Sequence, residues 1–89
     1  MTSSAEKLYA SLSQSPFGRK RDEVERMVKG FGFVIVSGRG PHDSIEHPEY
    51  PSLRLPLPRH ATLHVRIVRL AIELVDEYRA LQNKKEQQS

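Results

Sequence analysis

The sequence contains no cysteine in its 89 residues, so it can form neither a disulfide bond nor a thiolate metal site. No apolar run approaches the roughly 18 consecutive residues of a membrane span. Residues 1–15 also lack the continuous apolar stretch of a secretory signal peptide. The absence of a membrane span and of a signal peptide predicts a cytoplasmic protein with no membrane partner, whereas the absence of cysteine does not indicate a compartment.

The length and the net charge of the chain indicate how many domains and what kind of partner to expect. A chain of 89 residues is enough for a single domain, residues 1–89, with a modest hydrophobic core. Lysine and arginine number 14 against 11 aspartate and glutamate residues, a formal net charge of +3. This mildly basic balance permits a polyanionic partner such as a nucleic acid without requiring one.

Two helices are predicted in the first third of the chain. Over residues 3–14 the apolar residues recur at helical spacing, and Ser3 with Glu6 has the spacing of a capping box. Over residues 22–29, Asp22 is the expected N-cap and Gly30 the expected stop. The basic run 19–21 between the helices is expected to be solvated. The predicted apolar stripes are Ala5, Leu8, Tyr9, Leu12 and Val24, Met27, Val28, Phe31.

The middle of the chain predicts three strands, over residues 31–37, 42–47 and 53–57, separated by turns rich in glycine and proline. Pro56 and Pro58 suit an edge strand, because proline cannot donate to the hydrogen-bond ladder. Strands joined by short turns form antiparallel sheets. The fold class expected is therefore α+β, with a three-stranded antiparallel sheet.

The longest helix is predicted over residues 61–82, and residues 83–89 are expected to form a disordered polar tail. The helix carries two apolar rows, a wider face than one sheet contact needs. We expect this helix and the second one to cover one face of the sheet. The excess apolar surface is expected to pack against the helix at residues 3–14 or against a partner.

The alternation of side chains along the second strand separates its two histidines. If Ile45 faces the core, His42, Ser44 and Glu46 face outwards, whereas His47 faces inwards. His47 is therefore expected to be structural and to bond the following turn. The two imidazoles cannot share a metal ion from opposite faces, and no zinc-like ligand spacing occurs elsewhere.

Residues 32–48, GFVIVSGRGPHDSIEHP, hold the most informative pattern. This stretch resembles the HicA toxin family, in which a helix ending in Gly-Phe is followed by a strand, Gly-Ser-His, an apolar residue and His-Pro. The chain matches that pattern in register, and the resemblance extends over about residues 5–81. It includes the extra N-terminal helix of longer members. The matching positions are Gly40, His42, Ile45, His47 and Pro48.

The resemblance implies a fold similar to double-stranded RNA-binding domains and a toxin that cleaves messenger RNA. It implies one catalytic histidine, His42, no metal or other cofactor, and a HicB-type antitoxin as protein partner. Histidine suits this role because its unperturbed pKa lies near neutrality, so it can take the proton of a 2′-hydroxyl. Cations near the scissile phosphate would stabilise the developing charge. The candidate RNA contacts are Arg39, Gly40, Arg54, Arg59, His60, Arg66 and Arg69.

Two residues depart from the family pattern next to the histidine. Pro41 stands where serine is usual, and Asp43 stands where a second histidine often follows. If either misplaces or neutralises His42, the chain would be a non-catalytic RNA-binding module on the same fold. A third reading is a protein–protein adaptor that dimerises through the wide face of the last helix. Arg69 has an alternative of its own, because Glu73 stands at i+4 and could pair with it.

Overall fold

A computed structural model describes residues 3–38 and 40–87 of the chain. Within this part, three helices and three strands confirm the α+β class. The elements in chain order are α1 (Ser4–Gln14), α2 (Arg21–Gly30), β1 (Val34–Val36), β2 (His42–Glu46), β3 (Arg54–Pro58) and α3 (Val65–Gln87).

The strands form one antiparallel sheet in the order β1-β2-β3, as predicted. Ile35, Ile45 and Leu55 lie in one row across it. Helices cover one face, on which Ile45 is fully buried, while the opposite face is open and carries the exposed Val34 and Val36. Burial on one face and exposure on the other is the pattern that strand alternation produces.

The helix α1 begins as its capping residues predict. The Ser3 hydroxyl accepts a hydrogen bond from the Glu6 N–H at 3.2 Å. The helix packs closely on α2, because a Cβ placed on Gly30 would lie 2.4 Å from the Ala5 Cβ. Gly30 was predicted to follow α2 as the residue that ends the helix, and the structure gives it a different role. Gly30 is the last helical residue and permits the close approach, while Gly32 takes the positive φ of 93° beyond it.

The start of α2 differs from the prediction, since its N-cap is Lys20 and not Asp22. The Glu23 carboxylate accepts from the Lys20 N–H at 3.1 Å. A tertiary contact fixes this start, because residues 19–21 run beside residues 61–63. The Arg21 N–H donates to the Ala61 carbonyl at 2.8 Å in that contact. Asp22 instead forms an exposed ion pair with Arg26.

Because of the same contact, the last helix begins at Val65 instead of residue 61. His64 caps it, as its Nδ1 accepts from the Arg66 N–H at 3.1 Å. The helix then runs to Gln87, so residues 83–87 are helical where a disordered tail was expected. Residues 88 and 89 of that predicted tail lie outside the described part.

The wide apolar face of α3 is shared between the sheet and α1. Val68, Ala71 and Val75 are fully buried in the core. On the α1 side, the Tyr9 hydroxyl donates to the Asp76 carboxylate at 2.5 Å. The N-terminal helix thus covers part of the surface that the sequence left without a partner.

Candidate functional site

His42 is the first residue of β2 and is exposed on the open face of the sheet. Its neighbour in the strand register is Pro58, the last residue of β3. The alternation predicted around Ile45 is confirmed, because Asp43 and His47 are buried and His42 is not. No hydrogen bond or ion pair to another described residue restrains the His42 side chain, so the imidazole is accessible to a ligand.

The turn before His42 is made tight by glycine. Gly40 is exposed and has a φ of 108°, a conformation that L-residues rarely adopt. Gly38 approaches the strand closely, since a Cβ there would lie 3.4 Å from the His42 carbonyl oxygen. Arg39, a candidate RNA contact, lies outside the described residues. The turn therefore leaves the approach to His42 free of bulky side chains at Gly38 and Gly40.

Asp43, directly after His42, is held on the helix side of the sheet by two arginines. Arg21 Nη2 donates to Asp43 Oδ2 at 2.5 Å, and Arg59 Nε donates to Asp43 Oδ1 at 3.0 Å. The hydrogen bond from Arg21, then that from Arg59, lowers the pKa of the Asp43 carboxyl below its usual value. The carboxylate is therefore ionised at neutral pH and bound to both cations.

The two arginines also tie the backbone around His42 together. Arg21 Nη1 donates to the Pro58 carbonyl at 3.2 Å, and Arg59 Nη2 lies 3.4 Å from the Gly38 carbonyl. They join the end of β3, the glycine turn and the start of α2 to Asp43. The expectation that residues 19–21 form a solvated run was wrong for Arg19 and Arg21, whose side chains are only 20% and 17% exposed. The inward position of Asp43 is the sequence signal that could have revealed the position of Arg21, because a buried carboxylate requires a cation.

The predicted RNA contacts divide into two groups. Arg59, His60 and Arg66 belong to the end of the molecule where β2 starts, β3 ends and α3 begins. Arg59 shares the helix side of β3 with Leu57, however, and so lies across the sheet from His42. Its side chain remains 48% exposed at the rim.

The second group lies apart from His42. Arg54 stands at the opposite end of β3, roughly 13 Å along the strand, and its Nη2 is 3.4 Å from the Glu46 carboxylate. Arg69 extends towards α1, where its guanidinium carbon lies 5.6 Å from the centre of the Phe17 ring. Among the described residues no ion pair joins Arg69 to Glu73. The structure therefore does not bring Arg54 and Arg69 to His42.

His47 has the structural surroundings that strand alternation predicted. Its Nδ1 accepts from the Glu49 N–H at 3.1 Å in the following turn. Its ring stacks on Tyr78 at 4.7 Å between centroids and meets the edge of Phe33 at 4.8 Å. The other ring nitrogen is buried without a hydrogen-bond partner in the described part of the chain. This histidine belongs to an aromatic cluster and not to an accessible site.

Neither a metal-binding cluster nor a membrane-spanning helix occurs within the described residues. No group of three histidine, aspartate or glutamate side chains in residues 3–38 and 40–87 is arranged to hold a metal ion. None of the helices in that same part has the length and apolar character needed to cross a bilayer.

Comparison of the chain with models of protein families, with curated protein sequences and with solved structures gives no match.

Proposed function

We propose that the chain is a HicA-type toxin that cleaves messenger RNA, with His42 as its single catalytic residue. The observation that carries the proposal is the position of His42, exposed at the start of β2 directly after a glycine turn. A histidine in this position is accessible to a phosphodiester, and imidazole is the side chain best suited to proton transfer near neutral pH. The arrangement of the helices and sheet in the manner of a double-stranded RNA-binding domain is part of the same proposal.

The charge at this end of the molecule supports an anionic substrate. Lys20 and Arg66 are exposed, and Arg59 is half-exposed. Contacts between residues 19–21 and 61–63 hold these segments side by side. Asp43 and Glu25 together offset the charges of Arg21 and Arg59. The remaining positive charge of the group therefore rests on Lys20 and Arg66. A positively charged surface attracts RNA phosphates and steers their approach.

In the proposed reaction, His42 removes the proton of a ribose 2′-hydroxyl, and the resulting oxygen attacks the neighbouring phosphorus. The bond from phosphorus to the 5′-oxygen breaks and that oxygen takes a proton from water, while His42 releases its own proton to the solvent, so the products are a 2′,3′-cyclic phosphate and a 5′-hydroxyl. Arg59 at the rim is the described cation best able to approach the phosphate as charge develops on it. The chemistry uses protein side chains alone, so we expect activity to persist in EDTA.

The same proposal includes a protein partner and a location. A ribonuclease with an open site must be controlled in its host, and we propose a HicB-type antitoxin that covers His42 and excludes RNA sterically. The basic end suits an acidic inhibitor surface. The proposed location is the cytoplasm, where messenger RNA and the antitoxin would be available.

The test is RNA cleavage by the purified chain in EDTA. We expect His42→Ala to lower the cleavage rate by roughly 100-fold to 10,000-fold and to leave the circular dichroism spectrum unchanged. Ser44→Ala is the matched control, because it removes an outward side chain from the same strand without removing a titratable group. Cleavage by His42→Ala at the wild-type rate, or products with 5′-phosphates that require magnesium, would contradict the proposal.

One observation favours a second candidate, an RNA-binding module without catalysis. Arg21 and Arg59 are both bound to Asp43 on the side of the sheet opposite His42. If they stay there when RNA binds, the imidazole lacks an adjacent cation among the described residues. Binding of RNA without cleavage by the wild-type chain would establish this candidate in place of the first.

A further inference from the structure

An apolar groove lies between α1 and α3, on a different surface from the face that carries His42. It has a volume of about 230 Å³. Its floor is apolar and its rim is polar, the layout of many protein interfaces. The lining residues are Leu12, Ser13, Pro16, Arg69, Ile72 and Glu73.

Phe17 stands beside this groove and is 67% exposed, more than any other large hydrophobic residue in the described part of the chain. Gly18, with a φ of 65°, turns the backbone directly after it. The Arg69 guanidinium lies over the phenyl ring, which holds the ring above the rim near Arg69. An aromatic ring in this position would gain free energy by leaving water, and aromatic side chains are enriched at interfaces for that reason.

The charges on the rim indicate what kind of partner the groove can bind. Arg69 and Glu73 are one helical turn apart on α3, yet within the described residues neither forms an ion pair. A two-fold axis that crosses α3 between these positions would set Arg69 of one copy against Glu73 of the other. The same rotation would bring Phe17, whose ring lies over Arg69, towards Ile72 and Glu73 of the other copy.

We infer that this surface is an interface between two copies of the chain, in which each Phe17 enters the groove of the other. One surface supplies both the protruding ring and the groove, and both signs of charge. Self-complementarity of this kind is what a two-fold dimer requires. The inference does not depend on RNA cleavage, because the groove and the His42 face are separate.

The test is sedimentation analysis of the full chain over a series of concentrations. We expect the wild-type chain to dimerise reversibly and Phe17→Ala to raise the dissociation constant roughly tenfold or more, as for an interface hot spot. Val34→Ala is the matched control, since Val34 is an exposed apolar residue on the open face of the sheet. It should leave the dissociation constant unchanged.

The charged residues allow a second test, which does not depend on the stability of any single variant. Arg69→Glu or Glu73→Arg alone places like charges opposite each other in a homodimer, so each should weaken association. A mixture of the two variants should form heterodimers, because both cross-copy pairs are then of opposite sign. A wild-type chain that stays monomeric at its solubility limit, a dimer unaffected by Phe17→Ala, or a mixture that associates no better than its components would overturn the inference.

Discussion

His42 begins β2 and His47 directly follows the end of that strand, five positions further on, and their surroundings have almost nothing in common. His42 is exposed on the open face without a hydrogen-bond partner among the described residues. His47 is 6% exposed, accepts a backbone hydrogen bond and packs against aromatic rings. The difference teaches that side-chain alternation assigns the two roles: one histidine holds the fold, and the other is free to meet a ligand.

The two ends also differ in how their polar groups are satisfied. At the His42 end, two guanidinium groups share the Asp43 carboxylate. At the His47 end, the His47 Nε2 and the Tyr50 hydroxyl are buried without a hydrogen-bond partner in the described part of the chain. Shape and aromatic packing hold the second end, whereas charge-assisted hydrogen bonds hold the first.

The largest effect on stability is expected from His47→Ala. It removes a buried ring from contact with Phe33 and Tyr78, which leaves a cavity. The free energy of unfolding should fall by about 2–3 kcal/mol, measured by urea denaturation. His42→Ala is the control and should change it by less than about 0.5 kcal/mol, as for an exposed residue. Equal losses in the two variants would remove the contrast between the histidines.

A smaller effect, dependent on pH, is expected from Asp43→Asn. The pKa of the wild-type carboxyl is lowered by Arg21 and Arg59, so ionised Asp43 stabilises the folded state above the unfolded pKa of about 3.9. That contribution is lost as the pH falls through the lower folded pKa. The variant should therefore be less stable than the wild type at neutral pH, and the difference should shrink in acid.

Asp22→Asn is the matched control for Asp43, because Asp22 forms an exposed pair with Arg26. Exposed pairs contribute little to stability, so urea denaturation should show almost no difference at either pH. A deficit in Asp43→Asn that stays constant from neutral pH into acid would show that packing, and not charge, accounts for the role of Asp43.

The smallest effect is expected in the salt dependence of RNA binding. The logarithm of the RNA-binding constant falls as the logarithm of the salt concentration rises. Each phosphate contact that is lost should make this negative slope less steep by roughly one. We expect this for Arg59→Gln and for Arg66→Gln, at the His42 end, and the same for Arg39→Gln. Lys85→Gln is the control, because Lys85 pairs with Glu49 near the His47 end. Slopes unchanged in the arginine variants, or made equally less steep by Lys85→Gln, would place the RNA elsewhere.

Local patterns in the sequence were enough to predict the order of the elements and the faces of β2. The spacing of Ala5 and Leu12 indicated α1, and alternation around Ile45 placed His42 outside and His47 inside. These features depend on residues that lie close together in the sequence. Covalent geometry fixes such relations wherever the segment later packs.

Contacts between distant segments decided the rest. Arg21 reaches Asp43 across 22 positions of the chain, and the pairing of residues 19–21 with 61–63 moves the starts of α2 and α3. The same packing sends Arg69 to Phe17 and leaves Arg54 with Glu46, so neither joins His42. The sequence by itself determined which residues of β2 face outwards; only the tertiary structure decided which side chains meet, because hydrogen bonds and ion pairs form between atoms that folding brings within reach.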